Sequence, residues 1–161
     1  GYELSVTVYS HRLVGDGYSS HTEYTLLTRT TMPQFARREL EVARRFSDFE
    51  WLHGCFQRLG GVLLPPLPPK KWAGSASRDF VAGRMKCLQR YISRVVAHPL
   101  LRKEFALQVF LEGTPQGLTA AKALLPWDAE PASGSQPPTP TPTPGPATPH
   151  RENSRSAGRH G

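Results

Sequence analysis

Two adjacent arginines, Arg44 and Arg45, stand directly before a sequence typical of a helix N-terminus. Ser47 and Glu50 have the spacing of a capping box, in which a serine oxygen accepts from an early helix amide and a glutamate reaches back. Free amides and the positive end of the helix dipole attract anions, and arginine binds phosphate through a planar fork of donors. The pattern indicates an anion site, although two solvated strand residues explain the spacing equally well.

Arg84 is the second charge with a functional implication. Helical spacing places it on a stripe that is otherwise apolar and consists of Phe80, Leu88, Tyr91, Ile92, Val95 and Val96. A charge on a core-facing stripe needs a partner. An internal carboxylate could supply it, but we favour a bound anion or a ligand rich in hydroxyl groups. The histidine farther along, His98, precedes a proline, and we expect it to help the chain turn rather than to bind a metal.

The elements that position these residues begin with extended segments. Apolar alternation and β-branched residues predict three strands, over residues 3–9, 23–28 and 40–46. Turn residues occupy positions 15–17. In the third strand, alternation places Arg44 on the face of Leu40, Val42 and Phe46, and Arg45 on the other face. The two arginines therefore diverge, and only one of them serves the anion site.

A first helix follows the third strand at once. Its apolar positions repeat at helical spacing and are Phe49, Leu52, Phe56 and Leu59. Gly60 and Gly61 end the run. Residues 64–69 are rich in proline, which predicts a polyproline II segment that cannot join a helix. This rigid connector sets the positions of Lys70 and Lys71.

The remaining elements are helical. Ser77 is a candidate cap for a second helix, and residues 103–111 predict a last short helix that Gly113 ends. The predicted fold class is therefore α+β. A small three-stranded antiparallel meander packs against a helical subdomain, and a proline-rich connector joins parts of the latter.

The composition changes after Gly113. A brief helical pattern consists of Leu118, Ala121, Leu124 and Leu125, but it is too short to be stable alone. From about residue 130 the chain is mainly Pro, Thr, Ser and Gly, a composition that cannot bury enough apolar surface to fold. We therefore predict three parts: a folded domain over 1–113, a linker with a short helix over 114–129, and a disordered tail over 130–161.

The tail contains one motif with a binding implication. Pro146, Pro149 and Arg151 have the spacing Pro-x-x-Pro-x-Arg. In a polyproline II helix the two prolines share a face that suits the aromatic groove of an SH3 domain, and the arginine could meet its acidic pocket. A generic disordered spacer is the alternative interpretation.

Charge and composition narrow the function classes. The formal net charge is +7, and residues 1–113 contain 16 Lys or Arg against 10 Asp or Glu. The excess lies in the folded part and favours an anionic partner, namely lipid headgroups, nucleic acid or an acidic peptide, among which charge alone does not choose. No enzyme motif appears. The two cysteines, Cys55 and Cys87, each lie in a predicted helix without metal-ligand spacing, which favours a reducing compartment. Because the chain starts with Gly-Tyr-Glu-Leu, we expect an excised fragment.

Several motifs, in order, resemble one family. Arg-Arg-Phe-Ser-Asp-Phe-Glu-Trp-Leu at 44–52 resembles the signature of the phox-homology (PX) domain of sorting nexins. The segment Leu-Pro-Pro-Leu-Pro-Pro-Lys at 64–70 resembles the proline-rich segment of the family. Its later helices are resembled by Asp-Phe-Val at 79–81 with Arg84, by His-Pro-Leu at 98–100 and by Phe-Leu at 110–111. The resemblance covers about residues 3–113.

The resemblance implies a phosphoinositide ligand, above all phosphatidylinositol 3-phosphate. Arg45 would grip the 3-phosphate, and Ser47 would touch it from the helix start. Phe46 would lie against the inositol ring, whose hydroxyls Arg84 would bind. Lys70 would meet the 1-phosphate. Neither a cofactor, a metal nor catalysis is implied.

Two departures from the family pattern affect this site. Residues 82–83 are Ala-Gly where the family often has acidic residues. Since glycine weakens a helix by about 1 kcal/mol relative to alanine, the aim of Arg84 is in doubt. Lys71 stands beside Lys70, so the resemblance does not decide which lysine meets the 1-phosphate.

The expected setting is the cytosolic face of early endosomal membranes, in endosomal sorting and protein transport. Trp72, following Lys71, has the composition of an interfacial anchor, unless it folds back onto the domain. A nucleic-acid partner is not expected, because no such motif is present. The alternative is a protein-interaction module that acts through the proline-rich tail and has a vestigial lipid site.

Overall fold

The computed structural model describes residues 1–70 and 78–125. The predicted cap Ser77, the candidates Lys71 and Trp72, and the tail motif of Pro146, Pro149 and Arg151 lie outside these residues.

Three strands form one antiparallel sheet in the order β1-β2-β3, which confirms the predicted meander. The strands are β1 (Leu4–Val14), β2 (His21–Thr30) and β3 (Glu39–Arg45). A bulge interrupts the β1–β2 pairing between Val8 and Ser10. Beyond it, residues 10–14 pair with 21–25 as an arm that the sequence prediction missed, because these residues extend past the core and lack a clean apolar alternation.

The outer edge of β1 is protected by a side chain. The Gln89 Nε2 atom donates to the carbonyl oxygen of Val6 at 2.9 Å, and its Oε1 atom accepts from the Val8 amide at 2.5 Å. The glutamine thus occupies the place of a neighbouring strand. Since an open edge invites pairing with another chain, this contact also blocks edge-to-edge association along this part of β1.

The first helix, α1 (Phe46–Gln57), begins directly after β3. The predicted capping box of Ser47 and Glu50 is wrong. Because β3 continues to Arg45, the first free amide belongs to Arg45, and it donates to Asp48 Oδ2 at 2.7 Å. Phe49, Leu52 and Phe56 are buried as predicted, whereas Leu59 lies beyond the helix and is 42% exposed. The predicted stop is confirmed, since Gly60 and Gly61 have φ of 64° and 66°.

The next segment, residues 61–70, contains no helix or strand. Its Val62, Leu64 and Leu67 side chains pack against the core. It leads toward α2 (Arg78–Ala97), whose stripe from Leu88 to Val96 is buried. After α2, His98 Nδ1 accepts from the amides of Leu100 and Leu101 at 3.1 and 3.3 Å, so the expected turn-forming role is confirmed.

Two short helices complete the described chain, α3 (Phe105–Glu112) and α4 (Pro115–Leu124). The folded chain does not stop at Gly113, where the sequence analysis placed its end. Thr114 Oγ1 caps α4 by accepting from the Gly117 amide at 3.0 Å, and Leu118 and Ala121 join the core. Packing supplies the stability that so short a helix lacks by itself.

Two polar contacts fasten α4 to α1. Trp51 Nε1 donates to the Leu125 carbonyl oxygen at 2.9 Å, and the Lys122 ammonium pairs with the Asp48 carboxylate. Throughout residues 1–70 and 78–125, no helix combines the length and the apolar character needed to cross a bilayer.

Candidate functional site

An open cavity of about 410 Å³ lies where β2, the start of α1, the end of the connector and the start of α2 meet. All five ligand-binding residues predicted from the sequence line it, namely Arg45, Phe46, Ser47, Lys70 and Arg84. Three of them are cationic, one is aromatic and one bears a hydroxyl. The cavity therefore presents charge for an anion and a flat apolar wall for a ring.

The two neighbouring arginines diverge, as strand alternation predicts. Arg45 is exposed and lines the cavity at the N-terminus of α1. Arg44 is only 2% exposed and points into the domain. Burial lowers the pKa of the Arg44 guanidinium, and the nearby Asp48 carboxylate opposes this shift. Only Arg45 is available to an anion from outside.

Arg84 is held by aromatic rings rather than by a carboxylate. Its guanidinium lies over the Phe46 ring at 3.9 Å from the centroid and over the Phe80 ring at 4.6 Å. One Nη atom donates to the Pro69 carbonyl oxygen at 3.1 Å. Among residues 1–70 and 78–125, no acidic group forms an ion pair with Arg84. Its buried Nε atom has no hydrogen-bond partner among these residues.

The helix continues through residues 82–83, where the family pattern is broken. Gly83 faces open space, and no atom lies within 4 Å of the position of a Cβ there. The two aromatic rings and the Pro69 contact fix the Arg84 guanidinium from outside the helix backbone. With Ala-Gly at residues 82–83, Arg84 still lines the cavity.

Further lining residues were not predicted from the sequence. Tyr24 of β2 is buried beneath the cavity; burial raises the pKa of its hydroxyl, and contact with Arg84 opposes that shift. His21 stands at the rim, with Nε2 3.2 Å from Glu23 Oε1. Leu13 and Glu50 also line the cavity. Strand pairing brings Leu13 and His21 there, so no local motif could have identified them.

A second, larger cavity of about 700 Å³ runs beside β3 and α4. It shares Arg45 and His21 with the first cavity. Its other charged residues are of both signs and include Glu41, Asp48 and Lys122. Despite its size, this mixed surface lacks the aromatic wall of the first cavity. Its four Lys or Arg are balanced by four Asp or Glu, so it also lacks the excess of cations found there.

The side chains that could hold a metal are dispersed. Within the described parts of the chain, no group of three or more His, Cys, Asp or Glu residues could bind a metal ion. Cys55 and Cys87 lie in α1 and α2, as predicted, and neither forms a disulfide.

Comparison with known proteins identifies the family to which this arrangement is similar. A family model for the PX domain matches residues 32–114. Sorting nexin-3 of Homo sapiens is 34% identical over 118 residues, which cover 68% of this chain and 73% of that protein. Sorting nexin-12 of Mus musculus is 32% identical over 131 residues, covering 75% and 79% respectively.

The solved structures include a similar fold. The X-ray structure of a designed CISK-PX domain superposes with a TM-score of 0.58 at 33% sequence identity. The match covers 67% of this chain and 98% of the designed domain.

Proposed function

Since the chain belongs to the PX domain family, whose sorting nexin members are phosphoinositide-binding, membrane-targeting modules of trafficking, we propose that its ligand is phosphatidylinositol 3-phosphate. The observation that carries this proposal is the convergence of Arg45, Lys70 and Arg84 with the Phe46 ring on one open cavity. Sorting nexins with this domain are generally non-enzymatic lipid-binding adaptors, and we propose the same for this chain.

The 3-phosphate is assigned to Arg45. Its side chain lies at the N-terminus of α1 and lines the cavity, so the guanidinium fork and the positive end of the helix dipole act on the same anion. Ser47, in the first turn, adds a hydroxyl donor. Hydrogen bonds to charged groups contribute about 1.5–3 kcal/mol each, so losing Arg45 should lower the affinity at least tenfold.

The inositol ring is assigned to the wall formed by Phe46 and Arg84. The inositol ring lies against the Phe46 side chain, and the Arg84 guanidinium donates to the inositol hydroxyls. Because Phe46 and Phe80 already hold this guanidinium in place, little side-chain entropy is lost when the ligand binds.

The membrane lies beyond the end of the connector. Lys70 meets the 1-phosphate as a point charge, with Lys71 as the alternative, and Trp72 is the candidate for insertion into the interface. Each lysine near an anionic surface adds about 1 kcal/mol. The proposed location is the cytosolic face of early endosomal membranes, where the module would serve endosomal sorting.

A separate proposal concerns the tail, where spacing alone supports an SH3-domain partner for Pro146, Pro149 and Arg151. A peptide of residues 143–155 should bind at least one member of an SH3 panel more tightly than the Arg151→Ala peptide. Equal binding of both peptides throughout the panel would reduce the motif to a spacer.

Arg45→Ala tests the lipid proposal on liposomes that contain phosphatidylinositol 3-phosphate. The variant should lose at least tenfold in affinity at physiological salt while keeping its unfolding midpoint. Arg29→Ala is the matched control, because it removes an exposed arginine that pairs with Glu39 and does not line the cavity. If both variants bind like the wild type, the cavity is not the lipid site.

A further inference from the structure

One carboxylate interrupts the basic cavity. Glu50 lies on α1, one turn after Phe46 and Ser47, and its half-buried side chain lines the cavity beside them. Among the residues that the structure describes, the Glu50 carboxylate has neither a hydrogen-bond nor an ion-pair partner. It does not serve as the helix cap, because Asp48 occupies that role. No contact within residues 1–70 and 79–125 therefore accounts for an acid at this position.

The helix fixes where this carboxylate stands. Residues three and four apart share a helix face, so Glu50 shares the cavity face of α1 with Ser47 and Phe46. The Arg84 guanidinium lies over the Phe46 ring, and both residues line the cavity. A ring bound between Arg45 and Arg84 consequently passes within reach of Glu50.

Among the residues that the structure describes, the cavity offers few cations for a second ring phosphate. Its described lining contains Arg45, Lys70 and Arg84, with Glu50 as the one carboxylate. If Arg45 takes the 3-phosphate and Lys70 the 1-phosphate, only Arg84 remains, and it already donates to Pro69. Another phosphate would bring a charge of about −1.5 to −2 toward Glu50. A hydroxyl in the same place would instead donate a charge-assisted hydrogen bond to the carboxylate.

We propose that Glu50 is a specificity-determining residue that selects an inositol ring with a single ring phosphate. Its carboxylate accepts from ring hydroxyls and repels a ring that carries a second phosphate. This inference rests on the proposed phosphoinositide function, and it adds to that function the discrimination between singly and multiply phosphorylated rings. Specificity of this kind arises from a repulsive element as much as from an attractive one.

Glu50→Gln is the direct test, because it removes the charge and keeps the size and an acceptor oxygen. Calorimetric titration would use water-soluble short-chain forms of phosphatidylinositol 3-phosphate, 3,4-bisphosphate and 3,5-bisphosphate, so that the charge of a membrane surface does not enter. The wild type should prefer the monophosphate. In the variant, its preference over at least one bisphosphate should fall about tenfold, which is about 1.4 kcal/mol, mainly through tighter bisphosphate binding. Affinity for the monophosphate should also fall, but by less than the bisphosphate affinity rises, because the amide oxygen makes a neutral hydrogen bond to the ring hydroxyl in place of a charge-assisted one.

Glu41→Gln is the matched control. It removes the same charge from the outward face of β3, where the side chain lines the second cavity rather than the first. An unchanged preference in Glu50→Gln, or an equal loss of preference in Glu41→Gln, overturns the role of Glu50. If the wild type binds none of the three lipids, the proposed function fails first, and the inference falls with it. The pattern across the three proteins distinguishes these failures.

Discussion

The Arg44 Nε atom donates to the backbone carbonyl oxygen of Phe110 at 2.7 Å, so a buried arginine joins β3 to the last turn of α3. The same guanidinium donates to the carbonyl oxygens of Ala43, at 2.9 Å, and of Gly113, and it lies 5.9 Å from the centroid of the Phe110 ring. The bonds to Phe110 and Gly113 satisfy carbonyl groups at the end of α3, which the helix itself leaves without partners. They also hold β3 in the position from which Arg45 enters the cavity.

Arg44→Met should therefore destabilise the domain. Methionine fills a similar volume but leaves buried carbonyl groups unpaired, at about 1–3 kcal/mol for each such group. We expect a loss of about 3 kcal/mol or more in the free energy of unfolding, measured by urea denaturation. Arg45→Met serves as the comparison and should stay within about 0.5 kcal/mol of the wild type, as is usual for surface substitutions. Equal stability of the two variants would contradict a structural role for Arg44.

The sequence predicted the meander, the divergence of Arg44 and Arg45, and the helical stripe from Leu88 to Val96. Each follows from a period of two or of 3.6 residues that burial on one face imposes. The five proposed ligand residues also converge on one cavity. Strand alternation places Arg44 and Arg45 on opposite faces. Arg84 is identified as a ligand residue because it is the charged position on an otherwise apolar helix stripe.

What the sequence could not supply depends on contacts between distant residues. Gln89 protects the edge of β1 across more than 80 positions, and Leu13 reaches the cavity only through the hairpin arm. The capping box was wrongly assigned to Ser47 and Glu50 because both Asp48 and Glu50 are acids near the start of α1. Either could accept a hydrogen bond from a backbone amide that precedes the helix. The end of β3 at Arg45 decides between them, and this end is a tertiary outcome rather than a local pattern.

The docking of α4 predicts a sharp contrast between two leucines of that helix. Leu118 is 4% exposed in the core, whereas Leu124 is 80% exposed. Leu118→Ala should lower the free energy of unfolding by about 2–5 kcal/mol, the cost of a buried Leu to Ala change. Leu124→Ala should be nearly neutral. Urea unfolding of both variants checks this, and similar midpoints would show that α4 does not belong to the cooperative unit.

The half-buried His53 predicts a loss of stability in acid. Burial lowers the pKa of its imidazole below the ordinary value of 6.5, and Nδ1 lies 3.0 Å from the Tyr91 hydroxyl. The unfolded chain therefore binds a proton more readily than the folded one, so stability is full above about pH 7.5 and falls as pH drops through about 6.5.

Urea midpoints at pH 7.5 and pH 5.5 measure this effect. His53→Gln should show a smaller drop between the two pH values than the wild type. His11→Gln removes an exposed imidazole and should leave the drop unchanged. If His53→Gln retains the full pH dependence, other groups cause it.

Leu13 predicts a second membrane contact next to the proposed lipid site. It lines the cavity at the end of the hairpin arm, and at 73% exposure it is one of the large apolar residues that the described part of the domain leaves in solvent. A headgroup in the cavity would bring this leucine to the interface, where complete burial of such a side chain contributes about 1.5–3 kcal/mol. Leu13→Ser should therefore weaken binding to liposomes with phosphatidylinositol 3-phosphate by about tenfold, which corresponds to 1.4 kcal/mol. Binding of the short-chain soluble lipid should not change.

Leu100→Ser is the control, because Leu100 is 58% exposed beyond the far end of α2, and it should bind liposomes like the wild type. A parallel loss of soluble-lipid affinity in Leu13→Ser would mean that Leu13 shapes the cavity instead of entering the membrane.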